Sequence, residues 1–116
     1  MEEEEICLSA IVLTRDEERN IAACLERLQW ADELIVFDSG SRDRTAALAR
    51  ALGARVYERP FDTYPRQRNA AMQLAMGEWV LFVDADERVT PELAQEIQGA
   101  IRDRELAGWW IPRRNY

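Results

Sequence analysis

A chain of 116 residues with an apolar fraction of 47% is large enough for one domain with a single core, and is composed like a folded protein rather than a disordered one. Its net charge of −7 sets it against a nucleic-acid backbone as partner. All fifteen cationic side chains are Arg, with no Lys and no His, which excludes Schiff-base chemistry, Ser-His-Asp or Cys-His machinery and His-ligated zinc within this chain.

Met1 is followed by Glu2-Glu3-Glu4-Glu5, unlike the basic start of a secretory leader, and reads as a solvated end. Ile6 to Leu13 is an apolar strand. Thr14-Arg15-Asp16-Glu17 has capping-box form, and Ile21, Cys24, Leu25 and Leu28 then repeat at helical spacing. Cys7 and Cys24 sit in core-like surroundings and read as two reduced, buried thiols. Leu34 to Phe37 is a second strand ending at Asp38, and Ser39-Gly40-Ser41 is a turn. Thr45, Leu48, Ala49 and Leu52 form the next helical face, with Gly53 placed as its C-cap. Ala54 to Glu58 is a short third strand and Pro60 to Pro65 a loop. Arg66 to Met76 predicts a helix stopped by Gly77.

The run Trp79-Val80-Leu81-Phe82-Val83 predicts a strand buried on both faces. It ends in two aspartates one residue apart, Asp84 and Asp86. Thr90-Pro91 is a helix start, with Leu93, Ile97, Ala100 and Ile101 as its apolar face. Gly108 to Pro112 reads as a fifth strand. No apolar run approaches the ~20 residues of a membrane span. With the reduced thiols, this sets the expected location as cytoplasmic.

Repeated strand-helix units predict an α/β fold, a mostly parallel sheet with helices on both faces. Parallel strands share a direction, so Thr14, Asp38, Asp84 and Asp86 collect along one rim. A crevice is expected between the first and fourth strands. No glycine-rich phosphate loop occurs. Two hard carboxylates at a strand end suit Mg²⁺ or Mn²⁺, which in turn holds a phosphate. The competing reading is that both aspartates are turn residues.

The motifs, in order, are Ile11-Val12-Leu13-Thr14-Arg15-Asp16-Glu17-Glu18-Arg19-Asn20-Ile21, Trp30-Ala31-Asp32-Glu33, Phe37-Asp38-Ser39-Gly40-Ser41-Arg42-Asp43-Arg44-Thr45, Gln67-Arg68-Asn69, and Gly77 to Glu87. With them the chain resembles the family 2 glycosyltransferases, inverting enzymes with the Rossmann-like GT-A fold. The set is most similar to the branch that adds sugars to the lipopolysaccharide core, including β-1,4-glucosyltransferase-like proteins. The resemblance implies one nucleotide-sugar-binding domain over residues 1–116, an N-terminal portion of a longer, apparently truncated enzyme. It also implies a nucleotide-sugar donor, a UDP-sugar above others. Thr14 and Glu17 would flank the nucleotide and Asp38 would accept from uracil or ribose. Arg68 would lie near base and diphosphate, Asp84 would face ribose and metal, and Asp86 would ligate the metal.

In the family the general base lies beyond the fifth strand, and no residue here matches it; Glu87 and Glu92 do not occupy its position. A second reading is therefore a nucleotide-binding or interaction module that lacks the acceptor site and base. A haloacid-dehalogenase-type phosphatase also places Asp-x-Asp after an apolar strand, but this chain has Arg88 where that pattern continues with Thr or Val, and it has no Lys. Trp30 and Trp79 read as core, and Asp43, Arg44 and Thr45 as supports of the second helix. The open side of the Trp79 strand is expected to be covered by the Trp109-Trp110 segment, or by a second copy of the chain. The resemblance also implies a peripheral membrane or lipid-linked acceptor.

Overall fold

A computed structural model describes residues 8–103. Cys7, the Gly108–Pro112 segment and the Trp109-Trp110 pair lie outside the described residues. The elements run β1 (Leu8–Thr14), α1 (Ile21–Glu26), β2 (Glu33–Asp38), α2 (Thr45–Ala51), β3 (Arg55–Glu58), α3 (Tyr64–Leu74), β4 (Trp79–Asp84) and α4 (Pro91–Asp103). The strands form one parallel sheet in the order β3-β2-β1-β4. Ile11 in the central strand stands opposite Ile35 on one side and Phe82 on the other. The chain moves outward from β1 to β2 and β3, then returns to β1's other flank with β4. The order therefore reverses between β1 and β4, where an open α/β sheet makes its crevice.

Side chains alternate across the sheet, as the pleat requires. Ala10, Val12, Leu34, Val36 and Val83 pack with Ile21, Cys24, Leu25 and Leu28 around α1, with Ala49 of α2, and with Ala94 of α4. Ile11, Ile35, Phe37 and Val80 face the other way, onto Ala71 and Met72 of α3 and Ala75 just beyond it. Helices cover both faces, as the sequence predicts.

Several boundaries differ from expectation for local reasons. Thr14 does not cap a helix: it closes β1, and its hydroxyl donates across to Asp38 at 2.6 Å. Asp16 takes a left-handed φ of 54°, which turns the chain away. The first helix starts only at Ile21, where the Glu17 carbonyl takes the Asn20 and Ile21 amides at 2.9 and 2.8 Å. The third helix begins at Tyr64, earlier than the sequence suggests, because Thr63 caps it and Pro65 sits in its first turn. β4 is not buried on both faces: only Val80 and Val83 are fully buried, and among the described residues it is an edge strand. Its Trp79 and also Trp30 are half-buried against the core, as expected.

Two glycines have specific work. Gly53 stands at φ 91° just past α2. The Gly53 amide donates to Arg50 O at 3.0 Å and the Ala54 amide to Ala49 O at 3.1 Å, the Schellman pair that ends a helix. Gly77 does not cap α3. Its amide donates to Ser9 Oγ at 2.9 Å, and a Cβ there would lie 2.7 Å from that oxygen and 2.8 Å from Ser9 N. Gly77 thus lets the α3–β4 connection lie directly against β1.

Ser9 in turn donates to Glu33 Oε1 at 2.6 Å. The same oxygen accepts the Met76 amide at 2.9 Å, and Arg55 pairs with Glu33 Oε2 at 2.6 Å. Gly77→Ala should therefore destabilise the chain by about 1–3 kcal/mol, the cost of overpacking against backbone. Urea unfolding checks this, and an unchanged midpoint would mean the connection is free to shift.

Candidate functional site

The carboxyl ends of β1, β2 and β4 open into a cleft of about 690 Å³, within the size range of small-ligand sites. Leu13, Thr14, Arg15 and Glu17 come from the end of β1 and its loop, and Ser39 from the end of β2. Phe61, Tyr64, Gln67 and Arg68 come from the loop before α3 and its first two turns, and Asp84, Ala85 and Asp86 from the end of β4. Among the residues the sequence nominates, Thr14, Glu17, Arg68, Asp84 and Asp86 are brought together here.

Asp38 is placed differently. It is 1% exposed and does not line the cleft. Its Oδ1 accepts from the Thr14 and Ser41 hydroxyls, each at 2.6 Å, and its Oδ2 from the Gly40 and Ser41 amides at 3.1 and 2.7 Å. Four donors fill the acceptor capacity of a carboxylate. Asp38 therefore sets the shape of the rim from below.

The loops after β1 and β2 are also clasped to each other. The Asp16 amide donates to Ser41 Oγ at 2.7 Å and the Glu17 amide to Thr45 Oγ1 at 2.9 Å. The Glu18 amide donates to Asp43 Oδ2 at 3.1 Å, and the Arg42 amide returns a bond to Asp16 Oδ1 at 2.8 Å. Thr45 also donates to Asp43, and that bond is the largest cause holding the Asp43 carboxyl below the usual carboxylate range. Asp43 and Thr45 thus do more than start α2: they hold the backbone that carries Glu17.

Asp84, Ala85 and Asp86 divide their side chains cleanly. Ala85 is buried in the core between α1 and α4, whereas both aspartates are exposed on the cleft. The Glu87 amide closes a turn onto Asp84 O at 2.9 Å, and Glu87 Oε1 accepts the Asp84 amide at 2.9 Å. Arg88, unremarked in the sequence beyond its bearing on the phosphatase pattern, braces this turn. It donates to Ala85 O at 2.9 Å and to Asn20 Oδ1 at 3.0 Å, tying the turn to the start of α1.

Among the described residues, neither the Asp84 nor the Asp86 carboxylate accepts a hydrogen bond or pairs with a cation, in contrast to Asp38. No group of three or more His, Cys, Asp or Glu able to hold a metal occurs among the described residues. A pair of carboxylates, with further ligands from phosphate, is what Mg²⁺ and comparable hard cations commonly use. The residues present fit that arrangement rather than an all-protein cage. Arg68 supplies fixed positive charge nearby, its guanidinium 4.2 Å from the centroid of the Phe82 ring.

Beneath the turn, the Cys24 thiol lies 3.6 Å from Asp84 O. Burial pushes it up to about 11, with the Glu87, Asp84 and Asp86 carboxylates adding to the rise and Arg88 opposing it. It is a structural thiol.

Over residues 9–116 the chain matches the family model described as glycosyl transferase family 2, and it belongs to that family. It is 33% identical to LpsC of Rhizobium meliloti, a lipopolysaccharide core biosynthesis glycosyltransferase, over 94% of this chain and 43% of that protein. The crystal structure of S. aureus TarS 1-349 superposes with a TM-score of 0.72 at 28% identity, over 84% of this chain and 32% of that one. Glucosyl-3-phosphoglycerate synthase from Mycobacterium tuberculosis, in complex with Mn²⁺, UDP and glucosyl-3-phosphoglycerate, superposes with a TM-score of 0.67 at 26% identity, covering 82% and 39%. These likenesses bear out the GT-A fold. The chain spans about a third of the length of the first curated relatives it matches.

Two measurements test the site's construction. Asp38→Ala strands buried donors and should cost more than about 3 kcal/mol in denaturant unfolding, while Asp38→Asn should cost about 1–2 kcal/mol because the hydroxyls can reorient. Losses below about 0.5 kcal/mol in both variants would mean the rim does not depend on that carboxylate. Iodoacetamide at pH 8, mapped by mass spectrometry, should leave Cys24 unmodified until the chain is unfolded; rapid labelling of the folded chain would contradict its burial.

Proposed function

We propose that this glycosyltransferase family 2 chain binds the nucleoside diphosphate of a UDP-sugar in the β1/β4 cleft, through a divalent cation on Asp84 and Asp86, for inverting sugar transfer. The observation that carries the proposal is the Asp-Ala-Asp turn, which buries its middle residue and presents two unengaged carboxylates beside Arg68. A diphosphate brought to two bare carboxylates would be repelled, so a cation has to lie between them. Either Mn²⁺ or Mg²⁺ meets that need. Asp84 and Asp86 would hold the cation, which would supply Lewis-acid stabilisation of the charge on a leaving diphosphate.

The chain's own residues bind and orient. Thr14 and Glu17 flank the nucleotide from the β1 side. Arg68, fixed over Phe82, offers a cation near the diphosphate, and Asp84 faces ribose and metal together. Asp38 acts by holding Thr14 and Ser41 in place; for its carboxylate to reach uracil or ribose directly, one of its present donors must let go. An acceptor hydroxyl must lose its proton to a general base, and Glu87 is engaged by the Asp84 amide.

LpsC supports a role in lipopolysaccharide or related envelope glycan synthesis, with a lipid-linked acceptor reached from the cytoplasmic side. No helix among the described residues is long and apolar enough to cross a membrane. The flank of β4 that no described strand pairs would be covered by the Trp109-Trp110 segment or by a second copy. The alternative, a nucleotide-binding module without transfer, draws on Glu87, the carboxylate beside the turn, being engaged by the Asp84 amide; a radiolabelled sugar-transfer assay separates the two.

Calorimetry of UDP against the chain should show binding that requires Mn²⁺ or Mg²⁺, and Asp86→Asn should weaken it by about 1.5–3 kcal/mol, the scale of a charge-assisted contact. Metal-independent binding, or an unchanged affinity in the variant, would reduce Asp86 to a turn residue.

A further inference from the structure

We propose that Tyr64, braced edge-on by Phe61, is the surface on which the base of the bound nucleotide stacks. The inference rests on the donor-nucleotide reading above and extends it to two residues that no motif singles out. Both are large apolar side chains left in water, Tyr64 at 69% and Phe61 at 43% exposure, and both line the cleft. Their rings meet at 5.0 Å between centroids and 71° between planes, an edge-to-face pair. In such a pair Phe61 can cover no more than one face of the Tyr64 ring, and the other is left for a ligand.

The loop that carries them is held rigid by polar contacts of its own. Arg59 meets both Asp62 oxygens, at 3.1 and 3.2 Å, and also donates to the buried Gln67. Asp62 accepts the Thr63 amide at 2.6 Å, and Thr63 caps α3 through the Arg66 amide at 3.2 Å. A flexible loop would tuck two aromatics away from solvent; a braced one presents them. Such pre-organisation is what keeps the ordering cost of binding low.

Placement selects the base over the other parts of the ligand. Tyr64 and Arg68 are i and i+4 on α3, so they share a face roughly 5–6 Å apart. Arg68 reaches over Phe82 of β4, next to the strand end that carries Asp84 and Asp86. The phosphates belong at that end, and Tyr64 lies one helical turn farther along the same wall, about the breadth of a ribose away. Every base has a π-face, and stacking on an aromatic side chain needs no hydrogen-bond match.

Calorimetry with UDP and with inorganic pyrophosphate, both with Mn²⁺, tests the inference on wild type, Tyr64→Ala, Tyr64→Phe and Phe61→Ala. Thermal melts report whether each variant is folded, which the exposure of both rings predicts. Tyr64→Ala should weaken UDP on the order of ten-fold and leave pyrophosphate unchanged. Tyr64→Phe should restore UDP affinity, and Phe61→Ala should show a smaller loss. If wild type binds UDP and Tyr64→Ala binds it equally well, the stacking role falls and the donor-site reading stands. An equal loss for UDP and pyrophosphate would show that Tyr64 serves the phosphates, overturning the base assignment. Wild type that fails to bind UDP at all would overturn both readings.

Discussion

Four donors converge on the Asp38 carboxylate, and the shape of the rim follows from where they sit. One comes from the end of β1, and the others from the turn that leaves β2. Two parallel strands joined only by their ladder would let their exit loops diverge. The buried carboxylate opposes this, because the Thr14 hydroxyl, if released, would be left unsatisfied away from water. The loops then extend the contact through Asp16, Glu17 and Glu18 against Ser41, Asp43 and Thr45. Glu17 and Thr14 reach the cleft in fixed positions because this framework stands behind them.

The same residue type does opposite work one strand away. Asp38 is buried and fully engaged, whereas Asp84 and Asp86 are exposed, and no partner among the described residues engages their carboxylates. Burial makes the difference. Asp38 ends the interior strand β2, inside a shell of amides and hydroxyls. Asp84 ends β4, where the chain turns out at the sheet edge, and Ala85 is the small residue that fills the core beneath the turn. Arg88 and Glu87 brace the turn through backbone groups and leave the two aspartate carboxylates unengaged. On the proposed reading, that unspent acceptor capacity is what receives a cation.

The sequence makes much of this legible, and the parts it hides share a physical cause. Apolar runs place β1, β2 and β4, and helical spacing places α1, α2 and α4, because burial drives both patterns. The parallel order follows from strand-helix alternation, and with it the shared rim. Hydrogen-bond partners across 24 or more residues leave no local pattern, so Thr14 read as a cap when it is a tether to Asp38. Glu33 looks like an ordinary charge beside a strand, yet it is buried and anchors Ser9, Met76 and Arg55. Gly77 looked like a helix stop because the steric demand on it comes from Ser9, far away in sequence. Phe61 and Tyr64 follow no period in their loop, and only their exposure sets them apart.

The cleft has two walls built on different principles. The β1–β2 wall is locked by buried polar bonds that reach into the sheet. The α3 wall is stiffened within itself, by Arg59, Asp62, Thr63 and Gln67, and a bond from Gln67 Nε2 to Ser39 Oγ at 2.9 Å links it to the rim after β2. Along its length it rests on the sheet through apolar Ala71, Met72 and Ala75, and beyond its far end the Met76 and Gly77 amides are held by Glu33 and Ser9. Apolar packing resists separation but fixes orientation less strictly than directed hydrogen bonds do. On the proposed reading, a ligand that touches Thr14 on one side and Arg68 on the other would add a directional link across the cleft to the one that Gln67 makes with Ser39.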